Sequence, residues 1–240
     1  MHIAVIEGDA RSARLCELLN ERGFDAKLFS SETDAAAFGD VLLPPMKRGV
    51  SIGVPLRKGQ ELVAFEDFCS REDFSILNAI ATAEGAIELA MRETPVTLHG
   101  SEALVIGYGR IGKILSERLL ALGALVTAGA RKETDFAWIT ARSLTAAHTG
   151  MLKGSLYRYD VIFNTVPKMV LPEPLLNEIK PACVIIDLAS PPGGVDFSAA
   201  EKLGLRCHWA LALPGQCAPE SAAQVTALVL TRILEERGVL

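Results

Sequence analysis

Gly107-Tyr108-Gly109-Arg110-Ile111-Gly112 follows the apolar run Ala103-Leu104-Val105-Ile106 and opens an amphipathic stretch over 111–122. A G-x-G-x-x-G between a strand and a helix is the turn that holds the pyrophosphate of a dinucleotide. The first glycine permits the tight turn, the second lets backbone approach the phosphates, and the third lets helix and strand pack closely. The anion sits on the helix N-terminus, where N–H groups lack intrahelical partners and the dipole is positive. The acid that usually holds the adenosine ribose is due about 20 residues on. Thr127-Ala128-Gly129-Ala130-Arg131-Lys132 stands there instead, with no acid before Glu133. Small residues leave room for a 2′-phosphate, and Arg131 with Lys132 can neutralise it. NADP is therefore expected in preference to NAD. The bland alternative is that both cations are solvated loop charges.

In open α/β sheets ligands bind beyond the carboxyl ends of the strands. Asn164-Thr165-Val166-Pro167 ends one apolar run and is expected near the nicotinamide ribose. Asp187-Leu188-Ala189-Ser190, followed by Pro191-Pro192-Gly193-Gly194, ends another. Turn chemistry accounts for the prolines and glycines, and less well for Asn164, Asp187 and Ser190. Two further residues carry proton chemistry. His99, in His99-Gly100-Ser101, stands just before the cofactor strand, although a lone histidine is more often structural. Glu84, in Thr82-Ala83-Glu84-Gly85, lies on a long helix and faces either a cleft or solvent. The N-terminal turn Glu7-Gly8-Asp9 carries two acids and one glycine, so the first domain is not expected to hold a nucleotide.

These residues need a scaffold, and apolar segments alternate in type along the whole chain. Strands are expected at 2–6, 24–29 and 40–43, with a helix over 10–22 between the first two. A possible short strand covers 62–65, and a long helix covers 74–91 at roughly 3.6-residue spacing. The second half restarts with strands at 103–106, 124–128, 161–164, 183–188 and 205–209, and helices at 111–122, 171–179 and 196–203. A last helix starts at Pro219, a favoured first helical residue, and runs to 237. Residues 44–60 are the long irregular stretch of the first half, with three prolines, three glycines and four basic residues. Residues 213–219 are expected as another irregular loop. The pattern predicts an α/β protein of two doubly wound domains: a small N-terminal one over 1–93 and a Rossmann dinucleotide-binding one over 94–218. The helix over 219–240 returns toward the first.

Composition narrows the function classes. Of 240 residues, 50% are hydrophobic and 22% charged, which suits a packed core and not a disordered chain. A net charge of −5 argues against nucleic acid or an anionic membrane as partner. Five cysteines form no CxxC pair and read as reduced core thiols. No metal site is expected. The reading is a cytoplasmic small-molecule enzyme without a signal peptide.

The combination resembles the A subunit of dipicolinate synthase, which makes pyridine-2,6-dicarboxylate (dipicolinic acid) in bacterial sporulation. The likeness runs through Asn78-Ala-Ile-Ala-Thr82-Ala-Glu84-Gly85, Thr97-Leu-His99-Gly100-Ser101, Gly107–Gly112 and Gly129-Ala-Arg131. It continues through Asn164-Thr165-Val-Pro167, Asp187–Asp196, and Leu213-Pro214-Gly215 with Ala218-Pro219. The family's first domain is longer by several tens of residues, and 44–74 is compressed here. Family members also tend to carry an extra Pro-Gly where this chain reads Ala210-Leu211-Ala212. The resemblance implies oxidation of a dihydrodipicolinate-type ring with NADP+ as hydride acceptor and partnership with a second, B-type subunit; a homo-oligomer is expected besides. It implies a role for Leu188 and Ala189 along the cofactor, and for Thr82, Ser190, Gly193 and Gly194 along the substrate. His99, Glu84 and Asp187 become the candidate catalytic groups. A dicarboxylate needs cations; Lys47, Arg48, Arg57 and Lys58 of the long loop and Lys168 are the candidates. Two alternatives stay open: another NAD(P)-dependent amino- or hydroxy-acid dehydrogenase, and a non-catalytic NADP-binding paralogue.

Overall fold

The computed structural model describes residues 1–45, 53–58, 61–67 and 70–238. Lys47 and Arg48 lie outside the described residues. The chain divides into two compact units, Met1–Ala81 with Ala212–Leu240, and Thr82–Leu211.

The first unit begins β1 (His2–Ile6), α1 (Ala10–Glu21), β2 (Asp25–Phe29), α2 (Glu32–Phe38) and β3 (Val41–Leu43). β4 (Gly53–Lys58) and β5 (Glu61–Asp67) follow, and then α3 (Glu72–Glu93), which leads into the second unit. The sheet order is β2-β1-β3-β4-β5. β1 pairs in parallel with β2 and β3, whereas β4 is antiparallel to both neighbours. The expected irregular stretch over 44–60 therefore contains a strand, and the short strand expected at 62–65 is the middle of a longer one. Proline and glycine punctuation obscures a hairpin whose apolar alternation is carried by few residues.

α1 carries leucines at positions 15, 18 and 19, one helical face. That face packs on Ile3 and Val5 of β1, and on Ala223, Ala227, Leu230, Ile233 and Leu234 of the closing helix. This closing helix is α9 (Pro219–Glu236). Arg14 of α1 binds Glu220 at 2.7 Å, and Arg71 binds Glu236 at 2.6 Å, so ion pairs mark both ends of α9. Before it, Ala212 at φ +58° starts a one-turn helix, α8 (Leu213–Cys217), in place of the expected irregular loop.

The second unit contains β6 (Glu102–Ile106), α4 (Arg110–Ala121), β7 (Leu125–Ala130), α5 (Glu133–Ala141) and β8 (Thr145–His148). β9 (Val161–Asn164), α6 (Glu173–Leu176), β10 (Val184–Asp187), α7 (Phe197–Lys202) and β11 (Arg206–Trp209) complete it. All its strands are parallel, in the order β11-β10-β9-β6-β7-β8. This is the doubly wound order in which the sheet reverses direction of growth between its first and fourth strands, here β6 and β9. β9 and β10 are buried throughout, as expected of parallel strands covered on both faces. Leu104, Ile106, Ile162 and Ile185 fill one side with Leu152, Leu156 and Leu176. α2, α5 and β8 are additions to the expected set of elements. Among the described residues one helix, α3, is long and apolar enough to cross a membrane, and 56% of its most apolar window is buried inside the protein.

Candidate functional site

Gly107 leaves the end of β6 at φ +100°, a left-handed conformation that an L side chain rarely adopts. A Cβ there would also stand 2.9 Å from Val166 Cγ2. Gly112, on the first turn of α4, faces the Gly107 carbonyl so closely that a Cβ would lie 2.9 Å from its carbon. Gly109 is different: it is the N-cap of α4, and a Cβ would meet nothing within 4 Å. No side chain caps α4. The glycines thus divide the work as a dinucleotide requires, two for close packing and one facing open space before a helix N-terminus that no side chain caps. α1 of the first unit makes a contrast. Its N-cap Asp9 accepts from Arg11 N at 3.0 Å and is paired with the Arg11 side chain, which holds the Asp9 carboxyl below the usual range.

The turn is fastened to its neighbours. Gly107 N donates to Gly129 O at 2.9 Å, and Thr165 donates through N and Oγ1 to Ile106 O at 2.9 and 3.0 Å. Tyr108 is buried beneath Lys113, whose Nζ lies 5.7 Å from the ring centroid, and burial pushes its hydroxyl pKa up. Arg110 is exposed and Ile111 half-buried. β7 ends at Ala130, and the next two residues, Arg131 and Lys132, are exposed. β7 and the two residues after it carry no carboxylate.

Beyond β9 and β10 the loops are tied by a buried clamp. Asn164 Nδ2 donates to Asp187 Oδ1 at 2.8 Å and to Val166 O at 3.0 Å, while its Oδ1 accepts from Val166 N at 3.0 Å. Asp187 further accepts from Ala189 N at 2.9 Å and from Gly194 N at 2.7 Å. A Cβ on Gly194 would reach Val166 O at 2.6 Å and Lys168 O at 2.8 Å, so only glycine lets the two loops meet. Leu188 and Ala189 are buried, and Ala189 O accepts from Trp209 Nε1 at 3.0 Å. The clamp holds the Thr165–Lys168 loop rigidly at the switch point, with Pro167 and Lys168 exposed.

No protein-family model matches the chain. Over 166 residues, 69% of this chain and 56% of the relative, it is 43% identical to the A subunit of dipicolinate synthase from Bacillus subtilis (strain 168). That matched segment spans little more than half of the curated relative. The crystal structure of the dipicolinate synthase A chain from Bacillus subtilis matches with a TM-score of 0.83 at 31% identity, covering 100% of this chain and 97% of that one. The crystal structure of the Bacillus halodurans A subunit of dipicolinate synthase matches with a TM-score of 0.81 at 27% identity, covering 97% of each chain. The chain belongs to the family of dipicolinate synthase A subunits. Its second unit carries the dinucleotide-binding architecture of NAD(P)-dependent oxidoreductases.

His99 and Glu84 of this member of the dipicolinate synthase family lie away from the carboxyl ends of the strands. His99 precedes β6, at the amino end of the sheet; a Cβ on Gly123, which closes α4, would come within 3.1 Å of the His99 ring. β6 has five residues, so roughly 17 Å separates that ring from the Gly107 turn at about 3.3 Å per residue. His99 is thereby removed from proton transfer at the carboxyl ends. Glu84 binds Arg118 at 3.2 Å, in the last turn of α4, which also lies toward the amino ends of the strands. Its exposed carboxylate is engaged in a surface ion pair. Asp187 is engaged by three N–H donors and holds loops together. The Gly193 and Gly194 amides, expected as donors to substrate, already serve Ser190 O and Asp187. Thr82 is buried on α3, and Ser190 is half-buried at the head of its loop. Arg57 and Lys58 belong to β4 in the first unit. Sequence reasoning missed β8, because Thr145-Ala-Ala-His148 has no apolar alternation to announce a strand.

Proposed function

We propose that this chain oxidises a dihydrodipicolinate-type ring to pyridine-2,6-dicarboxylate in endospore formation, uses NADP+ in preference to NAD+, and works with a second, B-type subunit. Kinship with the A subunit of dipicolinate synthase supports the substrate class and the partner. The observation that carries the cofactor preference is the end of β7, where Arg131 and Lys132 replace the expected carboxylate. When bound, the nicotinamide supplies a hydride acceptor.

The chain's own residues bind and orient. Gly109 and the first turn of α4 would receive the pyrophosphate, and Arg131 would make a charge-assisted contact to the 2′-phosphate. The Asn164–Asp187–Gly194 clamp fixes the Thr165–Lys168 loop, against which the substrate ring would be oriented. Lys168 is the exposed cation on that loop, suited to a carboxylate of the substrate. One hydride and one proton leave the ring as it becomes aromatic. Aromatisation favours the product, so water suffices to take the proton where His99 and Glu84 stand out of reach.

The test has two parts. Calorimetry should show NADPH binding more tightly than NADH. Arg131→Ala should weaken NADPH at least about tenfold, the loss of a charged hydrogen bond worth roughly 1.5–3 kcal/mol, and leave NADH unchanged. A dihydrodipicolinate-type substrate generated in situ should then reduce NADP+ with growth of pyridine absorbance. Tight NADPH binding without turnover, alone or with the B-type subunit, would replace this reading with that of a non-catalytic cofactor-binding paralogue.

A further inference from the structure

We propose that His148, beside the end of β7, is a second anchor for the cofactor's 2′-phosphate in addition to Arg131. The inference rests on the NADP(H) reading above.

β8 is the edge strand next to β7, and their register ends with Ala130 opposite His148. Paired strands lie about 4.8 Å apart, so His148 stands beside the residue that immediately precedes Arg131. The pairing continues past β8. Thr149 N donates to Ala130 O at 3.0 Å, and Met151 N donates to His148 O at 2.9 Å, closing a tight turn across the end of β7. Phe136 places the imidazole further: its ring centroid lies 6.2 Å from that of His148. Phe136 belongs to the first turn of α5, which Lys132 caps. The imidazole therefore stands at the start of the helix that springs from Arg131-Lys132.

Its tautomer is also fixed. Gly150 N donates to His148 Nδ1 at 3.1 Å, so Nδ1 uses its lone pair and the ring proton resides on Nε2. The side chain is exposed. It is an N–H donor held in place by its own backbone. A phosphate monoester offers three acceptor oxygens in a tetrahedron. The planar Arg131 fork can satisfy one edge, and a single N–H from the neighbouring strand a remaining oxygen. A part in the chemistry is excluded by position, because β7 and β6 separate β8 from β9, or roughly 14 Å at about 4.8 Å per strand.

The test is fluorescence titration of NADPH and NADH against the full chain and two variants. His148→Asn keeps an acceptor for Gly150 N and loses the outward donor. It should raise the NADPH Kd about tenfold, as expected for a hydrogen bond to a charged group, with NADH within twofold. His148→Gln, whose amide reaches as far as Nε2, should keep NADPH within about threefold of the parent. If the parent prefers NADPH and His148→Asn leaves that preference intact, the assignment of His148 fails while the NADP reading stands. If His148→Asn weakens both cofactors equally, the residue only shapes the turn and the assignment fails. If the parent itself binds NADH as tightly as NADPH, the cofactor reading falls and this inference with it.

Discussion

Gly109→Ala and Gly112→Ala add the same methyl group three residues apart and should produce opposite phenotypes. At Gly112 the new Cβ would overlap the Gly107 carbonyl oxygen and stand 2.9 Å from its carbon, where ordinary contacts begin at 3.4 Å. The obstacle is backbone, so no rotamer change relieves it; α4 must move off the turn by about an ångström to bring that oxygen out to 3.0 Å. Overpacking of this kind costs about 1–3 kcal/mol. At roughly 2–4 °C per kcal/mol for a chain of this size, Tm should fall by about 2–12 °C. Dinucleotide affinity should fall too, because the displaced helix no longer presents its first N–H groups. At Gly109 a Cβ meets nothing within 4 Å, and φ is −82°, which alanine adopts without strain. Gly109→Ala should therefore melt within a degree or two of the parent. The methyl would instead occupy the space through which backbone approaches the pyrophosphate. Loss of one or more charge-assisted N–H contacts, each about 1.5–3 kcal/mol, corresponds to roughly tenfold or more in Kd. Differential scanning calorimetry and NADPH titration on both variants decide it. A Gly109→Ala protein that binds NADPH normally would refute the division of labour among the glycines, as would one that unfolds as readily as Gly112→Ala.

Three further outcomes are expected. Asp187→Asn faces an amide N–H₂ toward backbone donors and should cost at least about 1.5–3 kcal/mol, read as a Tm drop of roughly 3–12 °C; an unchanged melt would show that the clamp is dispensable. Leu230→Ala, fully buried between α9 and α1, should destabilise the first unit by about 2–5 kcal/mol in a urea titration. The Arg71 guanidinium beside Asp73 lowers that carboxyl to about 2 from its ordinary 3.8. A depressed pKa contributes stability above the ordinary value and loses it as pH falls through the lowered one. Melts between about pH 4 and pH 2 should thus fall less steeply in Arg71→Ala than in the parent.

The elements that announce themselves in the sequence are those whose burial is strongly periodic or continuous. β6, β9 and β10 each carry three or four consecutive apolar residues, and α1 has leucines on one face, because those residues are buried and little else could satisfy them. β8 is an edge strand of Thr, Ala, Ala and His, mostly exposed, and its pairing with β7 leaves no trace in hydrophobicity. α2 is short and buries Ala35 alone among its residues, so its signal is confined to the cap, Ser31 with Asp34 three residues on. The site divides in the same way. The glycine turn and the missing carboxylate after β7 are local features and can be read directly. The positions of His99 and Glu84 are not legible, because which end of a strand a flanking residue occupies depends on chain direction within the sheet. Asn164 and Asp187 are recognisable as unusual, but only the register of β9 with β10 shows them bonded to each other.

The placement of α9 has a consequence for how the protein is made. The core of the first unit is assembled from residues at both extremes of the chain: Ile3, Val5 and Leu19 meet Ala227, Leu230 and Ile233. A ribosome releases the opening strands first, yet the helix that covers them emerges only after Thr82–Leu211 has been synthesised. At about 5–20 residues per second, the 138 residues from 81 to 219 take roughly 7–28 s. The second unit is contiguous in sequence and can fold during that interval. The first waits, with the leucine face of α1 uncovered, and is exposed to chaperones, to proteases and to pairing with other nascent chains. The order of folding should therefore reverse the order of synthesis.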